Sequence, residues 1–265
     1  MIRQLTEEDK DTVLQFVTKQ AAENLFIIGD IEAFGFADPV TIWGDFDQQG
    51  ILMAVLLRYF GNFIAYAQNV DLLDGKAWAE VINHDGRMKR FSGLEPIVRR
   101  IIPYLWQLQR EKKECYYAKR SLEVPLNKQG LHREVRMLFP EEADRIVRFR
   151  ETIPEFSENV EDPRLVQRNM EKGLSRSFYI EKNNEPVCAV STAAETRTAA
   201  MIVGVCTRPD CEKQGFATSC LTKLIAVLTA ERKEPCLFYD NPAAGRIYKK
   251  LGFVDIGRWT MTSYG

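Results

Sequence analysis

The chain is poor in the residues that build metal and redox chemistry. Only two of its 265 residues are histidine, His84 and His132, and neither stands at metal-ligand spacing. No structural or catalytic metal is therefore expected. Six cysteines are present, Cys115, Cys188, Cys206, Cys211, Cys220 and Cys236, but no C-x-x-C pair. Several lie in apolar strand or helix contexts, which points to buried, reduced thiols and a cytoplasmic setting. Cys211, in a polar turn, is the candidate for exposure. No apolar run approaches 18 residues, so no membrane-spanning helix is expected. The opening MIRQLTEEDK does not read as a signal peptide. Charge of one sign is not in excess either: 36 basic residues face 37 acidic ones. A net charge of −1 implies no general affinity for nucleic acid. What remains is 45% hydrophobic and 28% charged, a soluble globular composition long enough for one large or two ordinary domains.

The most ordered signal runs from Met201 to Leu228. Met201 to Thr207 is apolar and β-branched with one glycine, which reads as a strand closed by Pro209. A polar turn, Asp210 to Gly215, follows. Leu221, Leu224, Ile225 and Leu228 then recur at helical spacing, the stripe of a helix packed on a sheet. The first N–H groups of such a helix have no partner inside it and carry partial positive charge, so they suit a phosphate. Gly215 lets backbone approach closely, and Ala217 keeps the first helical turn slim. A plain strand–helix connection has the same pattern.

A second signal starts at Tyr239. Asn241 is a good N-cap and Pro242 suits the first helical position. Ala244, Ile247, Tyr248 and Leu251 share one face. Lys249 and Lys250 sit in the last turn, and Gly252 is placed as the stop.

Together these stretches resemble the GNAT (GCN5-related N-acetyltransferase) family. That family carries R/Q-x-x-G-x-G/A at a helix start and, after a strand, N-x-x-A-x-x-x-Y-x-x-x-G-F. Here the first motif is Glu212-Lys213-Gln214-Gly215-Phe216-Ala217, and the second is matched by Asn241, Ala244, Tyr248, Gly252 and Phe253. The resemblance covers roughly residues 133–265. Glu212 departs from the R/Q pattern. A carboxylate beside a pyrophosphate is unfavourable unless it points to solvent, so weaker cofactor affinity is expected, with Lys213 and Gln214 as alternative donors.

The rest of the second half fits the same order. Strands are expected at Val135–Phe139, Ser177–Lys182, Pro186–Ala194, Ala199–Thr207, Pro235–Tyr239 and Val254–Thr262. Helices are expected through Phe149 and over Leu165–Lys172. The first half reads as a strand at Met1–Leu5, a helix opened by Thr6-Glu7-Glu8-Asp9, and a helix over Asn24–Phe36 broken at Gly29 and Gly35. Antiparallel strands follow at Thr41–Phe46, Ile51–Phe60 and Asn62–Gln68. Then come a helix over Leu72–Ile82, strand Met88–Phe91, helix Glu95–Leu108 and strand Glu114–Val124. Pro125 to Gly130 is the linker candidate. The basic stretch from Arg87 to Arg120 reads as solvated faces, with a rim for an anionic ligand as the sharper alternative.

The halves echo one another. Thr6-Glu7-Glu8-Asp9 and Pro140-Glu141-Glu142-Ala143 occupy equivalent places, as do Gly75 with Ala77 and Gly215 with Ala217, at similar offsets. A duplicated unit is expected: residues 1–127 a degenerate GNAT-like or substrate-shaping domain, residues 128–265 the catalytic one. The fold class is α/β (α+β), two GNAT-like domains, each a mixed, mostly antiparallel sheet flanked by helices.

The resemblance implies an N-acetyltransferase that moves an acetyl group from acetyl-CoA to a primary amine of a small molecule or peptide by direct attack. It implies that Val205 and Thr207 pair with the pantetheine arm, and that the Val205 N–H serves as oxyanion donor. Lys213, Gln214, Gly215, Phe216, Ala217 and Thr218 would line the phosphate turn with Glu212, Asn241 would touch the CoA arm, and Tyr248 would protonate the leaving thiolate. The base is open; Glu195 is the nearest acidic candidate. Met201 stands where some relatives carry a glutamate. The alternative is a non-catalytic acyl-CoA-binding regulatory protein, with a tandem-GNAT aminoacyl-type transferase as a third option. No nucleic acid or membrane partner is expected, and the chain is expected to be a monomer or homodimer.

Overall fold

The computed structural model describes residues 1–127, 134–157 and 161–265. His132 and the second half of the linker candidate, residues 128–130, lie outside the described residues. In chain order the elements are β1 (Ile2–Gln4), α1 (Lys10–Val17), α2 (Leu25–Phe34), β2 (Val40–Phe46), β3 (Leu52–Tyr59), β4 (Asn62–Ala67), α3 (Gly75–Asp85), β5 (Arg90–Leu94), α4 (Glu95–Ile101) and β6 (Gln109–Lys119). Then follow β7 (Arg136–Met137), α5 (Ala143–Glu151), α6 (Pro163–Glu171), β8 (Ser177–Lys182), β9 (Glu185–Ala193), β10 (Ala199–Thr207), α7 (Phe216–Ala230), β11 (Glu234–Tyr239), α8 (Pro242–Lys250) and β12 (Val254–Tyr264).

The chain divides into two compact units, Met1–Tyr117 with Asp255–Gly265, and Ala118–Val254. In the first, β1 to β4 form an antiparallel meander, and β4 runs parallel to β5 after the crossover through α3. Its core includes Val55, Leu57, Phe63, Trp78 and Phe91, all fully buried. Most of β12, expected with the second half, is counted in this unit. It pairs antiparallel with β5 from Trp259↔Leu94 to Ser263↔Arg90, and the Trp259 ring packs on Phe26 and Tyr117. That contact is tertiary and leaves no local trace in the sequence.

Three helix readings shift for local reasons. Gly29 does not break α2, because the buried Leu25, Ile27, Ile28 and Ile31 hold the helix through it; it ends at Gly35 with φ +64. α3 starts at Gly75 rather than Leu72, because Asp74 caps it. α4 stops at Ile101, followed by one 3-10 turn that contains Pro103, which lacks an N–H to continue the ladder.

In the second unit, β7 to β10 pair antiparallel in sequence order, and β10 runs parallel to β11 after the crossover through α7. This β10–α7–β11 arrangement repeats β4–α3–β5, so the architecture is duplicated. The bounds of β8, β10 and β11 fall within one residue of those read from the sequence. α7 buries Phe216, Leu221, Leu224, Ile225 and Leu228 against β8, β9 and β10, forming a core with Phe178, Val187, Val190 and Ile202. Cys211 is buried in that core rather than exposed, and all six cysteines are buried, with no disulfide among the described residues. Arg120, read as part of a solvated basic stretch, is fully buried and donates to the carbonyls of Leu251, Ser121 and Val124. No described helix is long and apolar enough to cross a membrane.

Candidate active site

The phosphate turn takes its shape from backbone conformation. A short 3-10 turn over Pro209–Cys211 follows β10, Lys213 has φ +59, and Gly215 has φ +84 as the N-cap of α7. Left-handed backbone is cheap only for glycine, so Gly215 is required here, while Lys213 is held there at some cost. Gly215 offers no side chain to cap α7, so the first N–H groups of the helix, those of Phe216, Ala217 and Thr218, receive no cap from it and lie at the positive end of the helix dipole. Glu212, Lys213, Gln214 and Gly215 are exposed, Ala217 and Thr218 half-buried, and Phe216 buried. An anion fits this cradle as backbone geometry. Glu212 lies in it without intruding on the core.

β10 and β11 meet only over part of their length. Their register runs from Ala199↔Glu234 to Ile202↔Leu237 and ends there. Beyond it Val203, Gly204, Val205, Phe238 and Tyr239 are only half-buried. The other edge of β10 carries a bulge: Val203 pairs with Ser191, and the next pair is Cys206 with Ala189. Gly204, at φ +59, and Val205 fall between these pairs. A bulge re-aims the backbone groups it contains, and it does so here just past the last β10–β11 pair, Ile202↔Leu237. Thr207 lies at the strand end, its hydroxyl on the Cys188 sulfur.

α8 closes the other side. The Asn241 side chain accepts from the Ala243 N–H at 2.8 Å, so it is fixed as the N-cap. Tyr239 packs where Gly245 leaves room, since a Cβ on Gly245 would stand 2.6 Å from the Tyr239 ring. Tyr239 and Phe253 in turn meet the Tyr248 ring edge-on, at 5.6 and 6.0 Å. Burial pushes the Tyr248 phenol up to about 12, so it stays protonated across the neutral range.

Glu195 has a different setting. Its side chain is fully buried, and it accepts from Arg176 at 2.8 and 2.6 Å, from Lys233 at 2.7 Å and from Thr192 at 2.5 Å. Burial alone would raise its pKa, but these donors outweigh it and the carboxyl is held below its ordinary value. A carboxylate so engaged is a poor proton acceptor. It ties the turn after β9 to the approach of β8 and to the entry of β11.

Two residues that carried no sequence signal stand at the site. Lys182, at the end of β8, donates to Gln214 Oε1 at 2.9 Å and lies 4.7 Å above the Phe216 ring, placing a cation beside the phosphate turn. Arg150, on α5, is buried beneath the bulge. A Cβ on Gly204 would stand 2.7 Å from its Nη2. Neither belongs to a local motif, because strand ends and helix faces present lysine and arginine everywhere.

The corresponding place in the first unit is filled. Asp74 Oδ1 accepts from the Ala77 N–H at 3.0 Å, which puts a carboxylate where the second unit leaves a bare helix start. Gly75 serves packing, since a Cβ there would overlap the Arg100 carbonyl. An anion has no cradle at α3.

Residues 165–262 match the family model described as GNAT acetyltransferase. No curated protein sequence matches the chain. Solved structures share the fold. A Drosophila protein is similar over 100% of this chain and 98% of its own, at 11% identity and a TM-score of 0.70. A GCN5-related N-acetyltransferase from Sphaerobacter thermophilus is similar over 99% and 94%, at 13% identity and 0.62. A tandem GNAT protein from the clavulanic acid biosynthesis pathway is similar over 99% and 97%, at 14% identity and 0.57. The resemblance read from the two motifs is borne out for the C-terminal half, and the tandem GNAT-like fold for the chain.

Proposed function

We propose that the second unit, with its GNAT acetyltransferase match and fold, binds acetyl-CoA and transfers the acetyl group to a primary amine of a small molecule or peptide. The observation that carries this reading is the end of the β10–β11 register at Ile202↔Leu237, before the turn that starts α7 at the uncapped Gly215. The N–H groups of Phe216, Ala217 and Thr218 hold the pyrophosphate, assisted by Lys182 and Lys213. Val205 and Thr207 pair with the pantetheine arm. The thioester carbonyl meets the re-aimed N–H of Val205, which stabilises the oxyanion as the amine attacks. Such a donor is worth about 3 kcal/mol of barrier. Tyr248 gives its proton to the departing CoA thiolate, and the proton lost by the acylated nitrogen returns to the phenolate through water. Burial keeps the phenol protonated at neutral pH, so it is present as a hydrogen-bond donor when the thiolate forms. Asn241 fixes α8 and with it the reach of Tyr248. Glu195 braces the sheet in this reading.

Titration calorimetry of the protein with acetyl-CoA tests it. Binding by the parent and none by Gly215→Glu supports the assignment, and release of free CoA thiol with an amine completes it. Binding without turnover on any amine supports the non-catalytic acyl-CoA-binding alternative. No binding at millimolar ligand refutes both.

A further inference from the structure

Arg150 is buried to 7% exposure, yet its guanidinium is not fully used. Nη2 donates to the Ser191 hydroxyl, which is itself 2.5 Å from the Ser177 hydroxyl, and Nη1 donates to the Glu161 carboxylate. Among the described residues Nε is buried without a hydrogen-bond partner. A buried guanidinium that serves only to hold a fold is normally saturated, because each unused donor costs desolvation energy. Arg120 in the same unit engages all three of its nitrogens, with Nε, Nη1 and Nη2 each on a backbone carbonyl. Arg150 instead leaves Nε unbonded, and its carboxylate partner among the described residues comes from a side chain that is 48% exposed. Glu161 directly precedes the capped start of α6 and can swing to water at little cost.

The position gives this incomplete site a use. The guanidinium lies against Gly204, the residue before Val205, on the side of α5 and α6. The floor around it is apolar, with Phe149, Ile153, Tyr179 and Cys206 in one buried cluster and Phe156 and Met170 at its edge. A cation in an apolar setting beside the reacting carbonyl repels an ammonium and attracts a carboxylate. Resting on the acetyltransferase reading above, we propose that the acceptor is a compact amino acid whose carboxylate displaces Glu161 from Arg150 while its amine reaches the thioester at Val205. Glu161 occupies the carboxylate position in the free protein. Arg150 therefore sets specificity, and the amine–carboxylate spacing is short because Gly204 and Val205 are adjacent.

The test needs no turnover. The full chain is titrated calorimetrically with N-acetylglycine, N-acetylalanine and N-acetylphenylalanine, and with their amides. At least one acid is expected to bind about tenfold or more tighter than its amide, the range for a charge-assisted hydrogen bond. Arg150→Gln should erase that preference. Glu161→Gln should tighten the acid several-fold by removing the internal competitor. Equal binding of acids and amides, binding of neither, or a preference that survives Arg150→Gln overturns the proposal. If Arg150→Gln does not fold, the acid-to-amide ratio in the parent and its rise in Glu161→Gln decide. A parallel acetyl-CoA titration separates failure of the carboxylate site from failure of the cofactor site. Acetyl-CoA binding with acids and amides alike would remove the carboxylate site and leave the acetyltransferase reading standing, whereas absent acetyl-CoA binding would remove the latter.

Discussion

Both carboxylate oxygens of Glu195 are bonded to Arg176, Oε1 to Nε at 2.8 Å and Oε2 to Nη2 at 2.6 Å, with the Glu195 side chain wholly out of solvent. Breaking a buried pair by neutralising one partner leaves the other uncompensated, which costs about 3–5 kcal/mol. Arg176 retains Glu231, so the low end applies. Glu195→Gln is expected to lower unfolding stability by about 3 kcal/mol in denaturant titration. Turnover per folded molecule should change little. A large loss of turnover at unchanged stability would restore Glu195 as the base.

The same pair predicts a pH dependence. The folded pKa of Glu195 lies below its ordinary 4.5, so its stabilisation is fully present above that value and is lost as pH falls through the lower folded value. Melting temperature should therefore drop on acidification below about 4.5 in the parent, and Glu195→Gln should flatten that limb. Parallel melting curves from pH 6 to 3 check it. Indistinguishable slopes would mean the ion pair does not carry the effect.

Tyr248→Phe keeps the ring that meets Tyr239 and Phe253 and removes only the hydroxyl. Turnover should fall roughly 10²-fold, the low end of general acid catalysis, with acetyl-CoA affinity nearly unchanged. Steady-state kinetics beside calorimetry separates the two. Unchanged turnover would reduce Tyr248 to a packing residue.

Gly75 and Gly215 hold equivalent places in the two units but should fail differently. Gly75→Ala drives a Cβ into the Arg100 carbonyl, backbone that cannot rotate away, so a loss of about 2–3 kcal/mol of stability is expected without change in acetyl-CoA affinity. Gly215→Ala must adopt φ +84, a cost of order 1 kcal/mol, and should weaken acetyl-CoA binding instead. Paired denaturation and binding curves test the contrast. Equal loss of affinity in both variants would argue that the first unit also binds the ligand.

Lys182→Ala should weaken acetyl-CoA binding about tenfold and reduce its dependence on salt, because it removes a cation held beside the phosphate turn. Calorimetry at low and high ionic strength reads both effects. An unchanged salt slope would assign Lys182 to packing on Phe216.

The sequence by itself determined what depends on neighbours along the chain. Strands Ser177–Lys182 and Ala199–Thr207 follow from alternating and β-branched residues between turn formers. The Asn241-Pro242 start of α8 and the Gly215 start of α7 follow from capping chemistry and backbone freedom, all within a few residues. Those local rules were enough to expose the GNAT-like motifs and the duplicated halves. Tertiary structure decided the rest. Arg150 becomes a site residue only because α5 crosses beneath a bulge in β10, far along the chain. Glu195 reads as a free turn carboxylate until Arg176 and Lys233 converge on it. Cys211 sits in a polar turn, yet is buried in the core that also holds Phe178 of β8 and Val187 of β9. In each case the deciding term is the burial and pairing of a charge or apolar group by a residue distant in sequence, a quantity that no local window contains.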